Sequence, residues 1–204
     1  NKIADSAFSE CTSLTSVDIP DTVDLLGVSV FSGCTSLSKV TLPATLTSIP
    51  QGLLEGTAIK SIVIPEGVEN IGDYAFATCK SLEYVYVPDS VTTIGEKAIG
   101  YVGGGGLLGF GWSINEKTTI CGSEDSAAAK YAEENGVNFK TAEFVQGDVN
   151  MDGSVKIADA VMLQKYLLGN KIITESQWKL ADMDGNGSVN GMDMALLRQA
   201  LVKE

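Results

Sequence analysis

Histidine is missing from all 204 residues. That absence removes the commonest general base, the usual partner of a cysteine nucleophile, and the nitrogen ligands of most zinc sites. Basic residues are few as well: 14 Lys and Arg stand against 26 Asp and Glu, a net charge of −12. A surface of that sign repels phosphate backbones and anionic lipid headgroups, which argues against nucleic acid and acidic membranes as partners. No apolar run approaches the roughly 18 residues of a membrane span. No leader segment is recognisable, and the chain opens inside a repeat, so the expectation is an excised or processed piece of a longer protein. Proline is scarce, five in all, but four of the five recur at a regular interval.

That interval belongs to a repeat. Ile3, Leu26, Ile49, Ile71 and Ile94 align, followed five residues on by Phe8, Phe31, Leu54, Phe76 and Ile99. Cys11, Cys34, Thr57 and Cys79 come next, then Leu14, Leu37, Ile59 and Leu82. Each repeat closes on an apolar residue and proline: Ile19-Pro20, Leu42-Pro43, Ile64-Pro65 and Val87-Pro88. The period is 23, shortened once by one residue between Thr57 and Ile59. The segment Leu14 to Ile19 alternates like a strand with one buried face, and proline ends it by removing a donor. One such unit cannot bury its apolar side alone; stacked units share a core. The reading is therefore a solenoid. Three of the four cysteines hold one repeat position and are expected to stack as a buried ladder, with Cys121 structural too.

After Gly100 the repeat lapses into Gly103 to Gly106, then Leu107, Leu108, Phe110 and Trp112. A phosphate-binding glycine loop would lead from a strand into a helix with a Lys at its end; here the expectation is an insertion whose apolar residues fold back over the last coil or meet a partner. Thr118 to Cys121 reads as a last strand and Ser126 to Glu134 as a helix capped by Ser123 or Asp125. The helix stops at Asn135-Gly136, and Val137 to Phe139 returns as a strand. The pattern Ile71-Gly72-Asp73-Tyr74-Ala75-Phe76-Ala77-Thr78-Cys79, with its following leucine and Ile/Val-Pro, resembles the bacterial leucine-rich repeats of the BspA type. The resemblance covers residues 1 to about 145. Between the buried strand residues, one exposed column carries Ser16, Lys39, Ser61 and Tyr84, and a second carries Asp18, Thr41, Val63 and Tyr86. Asp18, Lys39, Tyr84 and Tyr86 form the candidate ligand face, for a protein or a carbohydrate.

Two stretches of a different kind lie further on. Asp148 to Asp159 and Asp182 to Asp193 each place an oxygen-bearing side chain at loop positions 1, 3, 5 and 12, and glycine at position 6. Calcium takes six to eight oxygens, and such alternation lets them converge while glycine allows the sharp turn. Position 7 offers a backbone carbonyl, position 9 works through water, and position 12 is Asp instead of Glu. Val155 and Val189 at position 8 are expected to pair the loops and face a small core. Helical spacing follows over Ala158 to Leu168 and over Met192 to Val202. A further helix starts at Thr174, with Gln177 completing a capping box. No helix precedes the first loop, so the order is a duplicated half EF-hand.

Residues 147–203 closely resemble a type I-like dockerin, the module that plugs proteins into a cellulosome scaffold. The resemblance implies two structural calcium ions (Ca2+) and a scaffoldin cohesin as partner. It implies Asp148, Asn150, Asp152, Ser154 and Asp159 as ligands of one ion, and Asp182, Asp184, Asn186, Ser188 and Asp193 of the other. Partner contacts are implied at Ile157, Ala158, Val161 and Lys165 in the first half, and at Gly191, Met192, Ala195 and Gln199 in the second. The halves differ there, so a single binding orientation is expected.

The whole reads as a multidomain chain. A β-rich leucine-rich-repeat solenoid at 1–145, capped over about 118–145, is followed by a small all-α dockerin at 146–204 built on a duplicated calcium loop–helix. No catalytic constellation is visible, and the expectation is a non-catalytic, extracellular component of a cell-surface cellulosome. The alternative is the C-terminal targeting and binding portion of a larger secreted polysaccharide- or protein-degrading enzyme whose catalytic domain lies upstream.

Overall fold

The computed structural model describes residues 1–103, 111–142, 145–151, 153–171, 173 and 175–202. The chain divides into two compact units, Asn1–Ala142 and Glu143–Glu204.

In the first unit, strands of two and three residues alternate. They are β1 (Lys2–Ile3), β2 (Ser16–Asp18), β3 (Leu25–Leu26), β4 (Lys39–Thr41), β5 (Ser48–Ile49), β6 (Ser61–Val63), β7 (Asn70–Ile71), β8 (Tyr84–Tyr86) and β9 (Thr93–Ile94). The longer strands are those expected from the apolar alternation; the two-residue row was not. Pairing is parallel and joins equivalent residues one turn apart, as in Val17 with Val40 and Ile71 with Ile94. The interior is filled by the aligned positions: Phe31, Leu54, Phe76 and Ile99, with Leu37, Ile59 and Leu82, are buried.

A third column of hydrogen bonds runs through the turns between the two rows. Phe8, Phe31, Leu54 and Phe76 donate their N–H groups to Val30, Leu53, Ala75 and Ala98 of the next turn. That ladder needs left-handed backbone at fixed places, taken by Ser6, Ser29, Gly52, Tyr74 and Lys97, and again by Glu10, Gly33, Gly56 and Thr78. The glycine of the Ile-Gly pair has another cause. A Cβ on Gly72 would sit 2.6 Å from the Gln51 nitrogen and 2.9 Å from the Pro50 carbonyl carbon, so the backbones approach too closely for a side chain.

Both rows break between the second and third repeats. β3 does not pair with β5, nor β4 with β6. Elsewhere the residue after the short strand donates to the previous turn, as Gly27 to Ile3, Gly72 to Ile49 and Gly95 to Ile71. The equivalent residue in the third repeat is Pro50, which has no N–H to give. The one-residue shortening before Ile59 falls in the run leading to β6, where the longer row breaks. The turn ladder and the bond from the Ala58 N–H to the Leu37 carbonyl, 2.9 Å, carry continuity across the gap.

The cysteine ladder is corrected at one rung. Cys34 and Cys79 are buried, but Cys11, in the first turn of this sequence, is exposed. The Cys34 thiol donates to the Phe8 carbonyl at 3.0 Å and the Cys79 thiol to the Leu54 carbonyl at 3.1 Å. Thr57 fills the intervening rung and its hydroxyl lies 3.3 Å from the Cys79 sulfur. Burial pushes the Cys79 thiol up to about 11, and raises Cys34 and Cys121 as well. Only thiolate alkylates readily. At pH 8, iodoacetamide followed by peptide mass mapping should therefore label Cys11 first and Cys79 last; labelling of Cys79 at the rate of Cys11 would contradict the buried ladder.

The far end is closed by β10 (Tyr101–Val102), β11 (Ser113–Ile114), β12 (Thr119–Gly122), α1 (Ala127–Asn135) and β13 (Asn138–Thr141). β12 and β13 extend the longer row beyond β8, while β10 and β11 form an antiparallel pair that was not expected. The N-cap of α1 is Ser126, correcting the choice of Ser123 or Asp125: its hydroxyl accepts from the Ala129 N–H, and Gly136 ends the helix in left-handed backbone. The Tyr131 hydroxyl donates to the Ile99 carbonyl and accepts from the Ile99 N–H, pairing backbone groups that the next turn would otherwise meet. Trp112 does fold back, its ring 5.6 Å from Tyr74 and 6.4 Å from Tyr101, with the Lys97 ammonium 5.9 Å away. Gly104 to Gly106, Leu107, Leu108 and Phe110 lie outside the described residues.

The second unit holds α2 (Ile157–Leu167), α3 (Glu175–Ala181) and α4 (Gly191–Val202). Val149, Leu163, Ala181, Met194 and Leu197 form its buried centre, with Val155 and Val189 packed against it. No strand pairing joins those two valines among the described residues. Thr174 lies outside the described residues; Gln177 is buried, and its side-chain amide donates to the Met162 sulfur at 3.4 Å.

Candidate functional site

Each loop of the second unit is wound about its own carboxylates. In the first, Asp148 Oδ2 accepts from the Gly153 N–H at 2.9 Å, and Asp159 accepts from the N–H groups of Asn150 and Lys156 at 2.9 and 2.7 Å. The second repeats the scheme. Asp182 Oδ2 accepts from Gly187 at 2.9 Å, and Asp193 from Asp184 at 3.4 Å and Asn190 at 2.8 Å. The position-12 aspartates thereby do two things. They close the loop and, as the third residue of α2 or α4, they accept from the helix-capping residue. In the second helix the cap is completed by the Asn190 side chain, which accepts from the Met192 N–H at 2.8 Å.

Asp148, Asp159 and Asp193 are buried to the last fraction of their surface, and Asp182 nearly so. Buried carboxylates need compensating charge or several donors. One oxygen from each of Asp182, Asp184 and Asp193 lies within 4.8 Å of the others. Three converging anions with no cationic side chain among them suit a hard divalent cation, and an all-oxygen donor set suits calcium more than zinc. Asn186 lies in the same ring, its backbone N–H 3.1 Å from Asp182 and Asp184 and its side-chain amide 2.8 Å from Asp184. Ser154 and Ser188 follow Gly153 and Gly187 at position 7. Asp152 lies outside the described residues.

The residues singled out for partner contact lie on the surface. Ile157 is 75% and Met192 58% exposed, and neither is packed at its helix start. Ala158, Val161, Lys165, Gly191, Ala195 and Gln199 are exposed as well. Sequence reasoning did not single out Leu168 and Val202, also exposed apolar residues at the helix ends.

On the solenoid the four face residues fall in two groups. Asp18 and Lys39 lie on the paired strands β2 and β4, Tyr84 and Tyr86 on β8 in the separate sheet β13-β12-β8-β6. The break after β4 therefore divides the proposed face. Tyr84 is 49% exposed, between Ser61 and Thr119 in register. Tyr86 is half-buried, and its hydroxyl donates to Glu66 at 3.5 Å. Burial, with the carboxylates of Glu66 and Asp89, drives its pKa up.

A family profile described as BspA type leucine rich repeat region matches residues 1–102 in six copies. A second, dockerin type I domain, matches residues 146–202. Domains of the latter type bind calcium and are cohesin-binding modules; both families are non-catalytic and typical of extracellular proteins. No curated protein matches the chain. Among solved structures, a leucine rich cell surface protein from Faecalibacterium prausnitzii is 34% identical over 47% of this chain and 29% of its own, with a TM-score of 0.44. The T. pallidum leucine rich repeat protein is 27% identical over 59% of this chain and 51% of its own, TM-score 0.46. The pneumococcal vaccine antigen PcpA is 14% identical over 70% of this chain and 39% of its own, TM-score 0.50, a likeness of fold alone. The chain thus spans about half or less of the length of these relatives. Among the described residues no helix is long and apolar enough to cross a membrane.

Proposed function

This chain belongs to the BspA-type leucine-rich repeat proteins and carries a type I dockerin domain, and from that premise we propose that it is a non-catalytic component of an extracellular, cell-surface cellulosome. Its dockerin binds a scaffoldin cohesin when two structural calcium ions are in place, and its solenoid engages a protein or a carbohydrate. The observation that carries the calcium reading is the convergence of Asp182, Asp184 and Asp193 within 4.8 Å. One ion is held by Asp182, Asp184, Asn186, the Ser188 carbonyl and Asp193. The other is held by Asp148, Asn150, Asp152, the Ser154 carbonyl and Asp159. The bound ions supply positive charge at the point where these carboxylates converge.

The cohesin contacts are assigned to Ile157, Ala158, Val161 and Lys165, or to Met192, Ala195 and Gln199. A support for one orientation over two is chemical inequality. The first face offers two branched aliphatics and a cation; the second offers a thioether, a methyl and an amide. Calorimetry of the whole chain against a panel of cohesins, with and without chelator, tests the assignment. Binding is expected to require calcium. Of Ala158→Arg and Met192→Arg, one should weaken binding by roughly thirtyfold or more, as a central contact does, and the other should have little effect. Equal, small losses from both would instead mean two interchangeable orientations, and binding that persists in chelator would reject the calcium requirement.

A further inference from the structure

The described residues of the two loops make the same main-chain hydrogen bonds, so a difference in calcium affinity is sought where their residues differ. In both, N–H groups at positions 3 and 9 donate to the position-12 carboxylate, and that of position 6 to the position-1 carboxylate. In both, the position-4 N–H donates to the position-1 carbonyl, at 3.2 Å from Met151 and 3.3 Å from Gly185. Both sequences carry three aspartates among positions 1, 3, 5 and 12. Ligand charge and these main-chain bonds therefore do not separate them.

Two positions do. Position 4 takes left-handed backbone in each loop, with φ of 58° at Met151 and 68° at Gly185. Glycine adopts that conformation freely, whereas a residue with a Cβ is disfavoured there by roughly five- to thirtyfold. Met151 is also buried at 3% exposure, so its side chain is held in the fold while its backbone is strained. Position 9 is Lys156 in the first loop and Asn190 in the second. Lysine sets a positive charge three residues before Asp159, where it opposes a dication; asparagine brings none.

Resting on the calcium reading above, we propose that the loops fill unequally. The loop at 182–193 is the tighter site and the loop at 148–159 the weaker, and Met151 and Lys156 are the residues that set the difference. Strain and charge act in the same direction, and together they separate the affinities by roughly tenfold or more. Over the intermediate range of calcium concentration the second loop is occupied and the first is empty.

Competition of the calcium-loaded whole chain against chelators of graded affinity reads this from the folded state, since the stripped dockerin is expected to unfold. Two binding events at least about tenfold apart are expected, and Asp159→Asn should remove the weaker one. Lys156→Asn should tighten the weaker event several-fold and leave the tighter one in place. Gly185→Ala adds a Cβ that meets nothing within 4 Å, so it imports backbone strain alone; it should weaken the tighter event about fivefold. Equal affinities in the unaltered chain, or a Lys156→Asn effect on the tighter event, would overturn the proposal. Absence of any calcium uptake would overturn the calcium reading itself, and this proposal with it.

Discussion

Removal of calcium is expected to unfold the dockerin and leave the solenoid standing. The reason lies in how little else holds residues 146–202 together. The buried centre consists of Val149, Leu163, Ala181, Met194 and Leu197. The helices that supply most of it span 11, 7 and 12 residues. Helices of that length are marginal in water without tertiary support, and a unit of this size buries too small a share of its surface to be secure. Against that stands the repulsion among Asp182, Asp184 and Asp193. Charges within 4.8 Å of one another repel by about 1 kcal/mol or more per pair even at the dielectric of water, and by more where Asp182 and Asp193 are buried. Calcium reverses the sign of that contribution, and because the sites do not exist in the unfolded chain, its binding energy is folding energy.

Far-ultraviolet circular dichroism at 222 nm, with thermal scans before and after chelator, would separate the units. Nearly all the helical signal of α2, α3 and α4 should vanish on chelation and return on adding calcium. A second transition belonging to the solenoid should remain where it was. Helicity retained in full after chelation would reject this account.

Phe76→Ala should cost the solenoid about 3–5 kcal/mol, the range for deleting a buried aromatic side chain. Phe76 is 1% exposed in an interior turn; its N–H donates to Ala98 of one neighbouring turn, and Ala75 beside it accepts from Leu54 of the other. In a stack where each unit leans only on its neighbours, a cavity there weakens two interfaces at once. Phe8→Ala is the matched control. Phe8 occupies the same repeat position and stacks on Phe31 with centroids 5.5 Å apart, but it is 43% exposed. Its loss should cost less than half as much. Urea unfolding of the two variants, followed through the solenoid transition, compares them. Equal losses would mean that stacking depth along the solenoid does not govern stability.

Much of this molecule is written in local pattern. The period of 23, the strand alternation and the terminal Ile/Val-Pro led to the longer strand row, because period-2 burial and a missing donor act within a few residues. The two Asp-rich loops were legible for the same reason: calcium ligands come from alternate positions of one short segment. The helices after them were placed to within a residue at each end.

Other features depend on what stands one turn away. Pro50 reads as one more turn residue until the Leu26 carbonyl is seen to lack the donor that Gly27, Gly72 and Gly95 provide elsewhere, and the short-strand row breaks there. The longer row breaks where the repeat is one residue short before Ile59, which divides Asp18 and Lys39 from Tyr84 and Tyr86. Cys11 matches Cys34 in repeat position, yet one is exposed and the other buried. Met151 is an ordinary loop methionine by sequence, and its positive φ emerges only from the folded loop. Composition and spacing determined the two kinds of module and the oxygen-bearing side chains of the Asp-rich loops, since both rest on near neighbours in the chain. Tertiary structure alone decided which backbone donors meet acceptors, which repeat positions are covered and where the main chain is strained, since each depends on residues some 23 positions away or on loop closure as a whole.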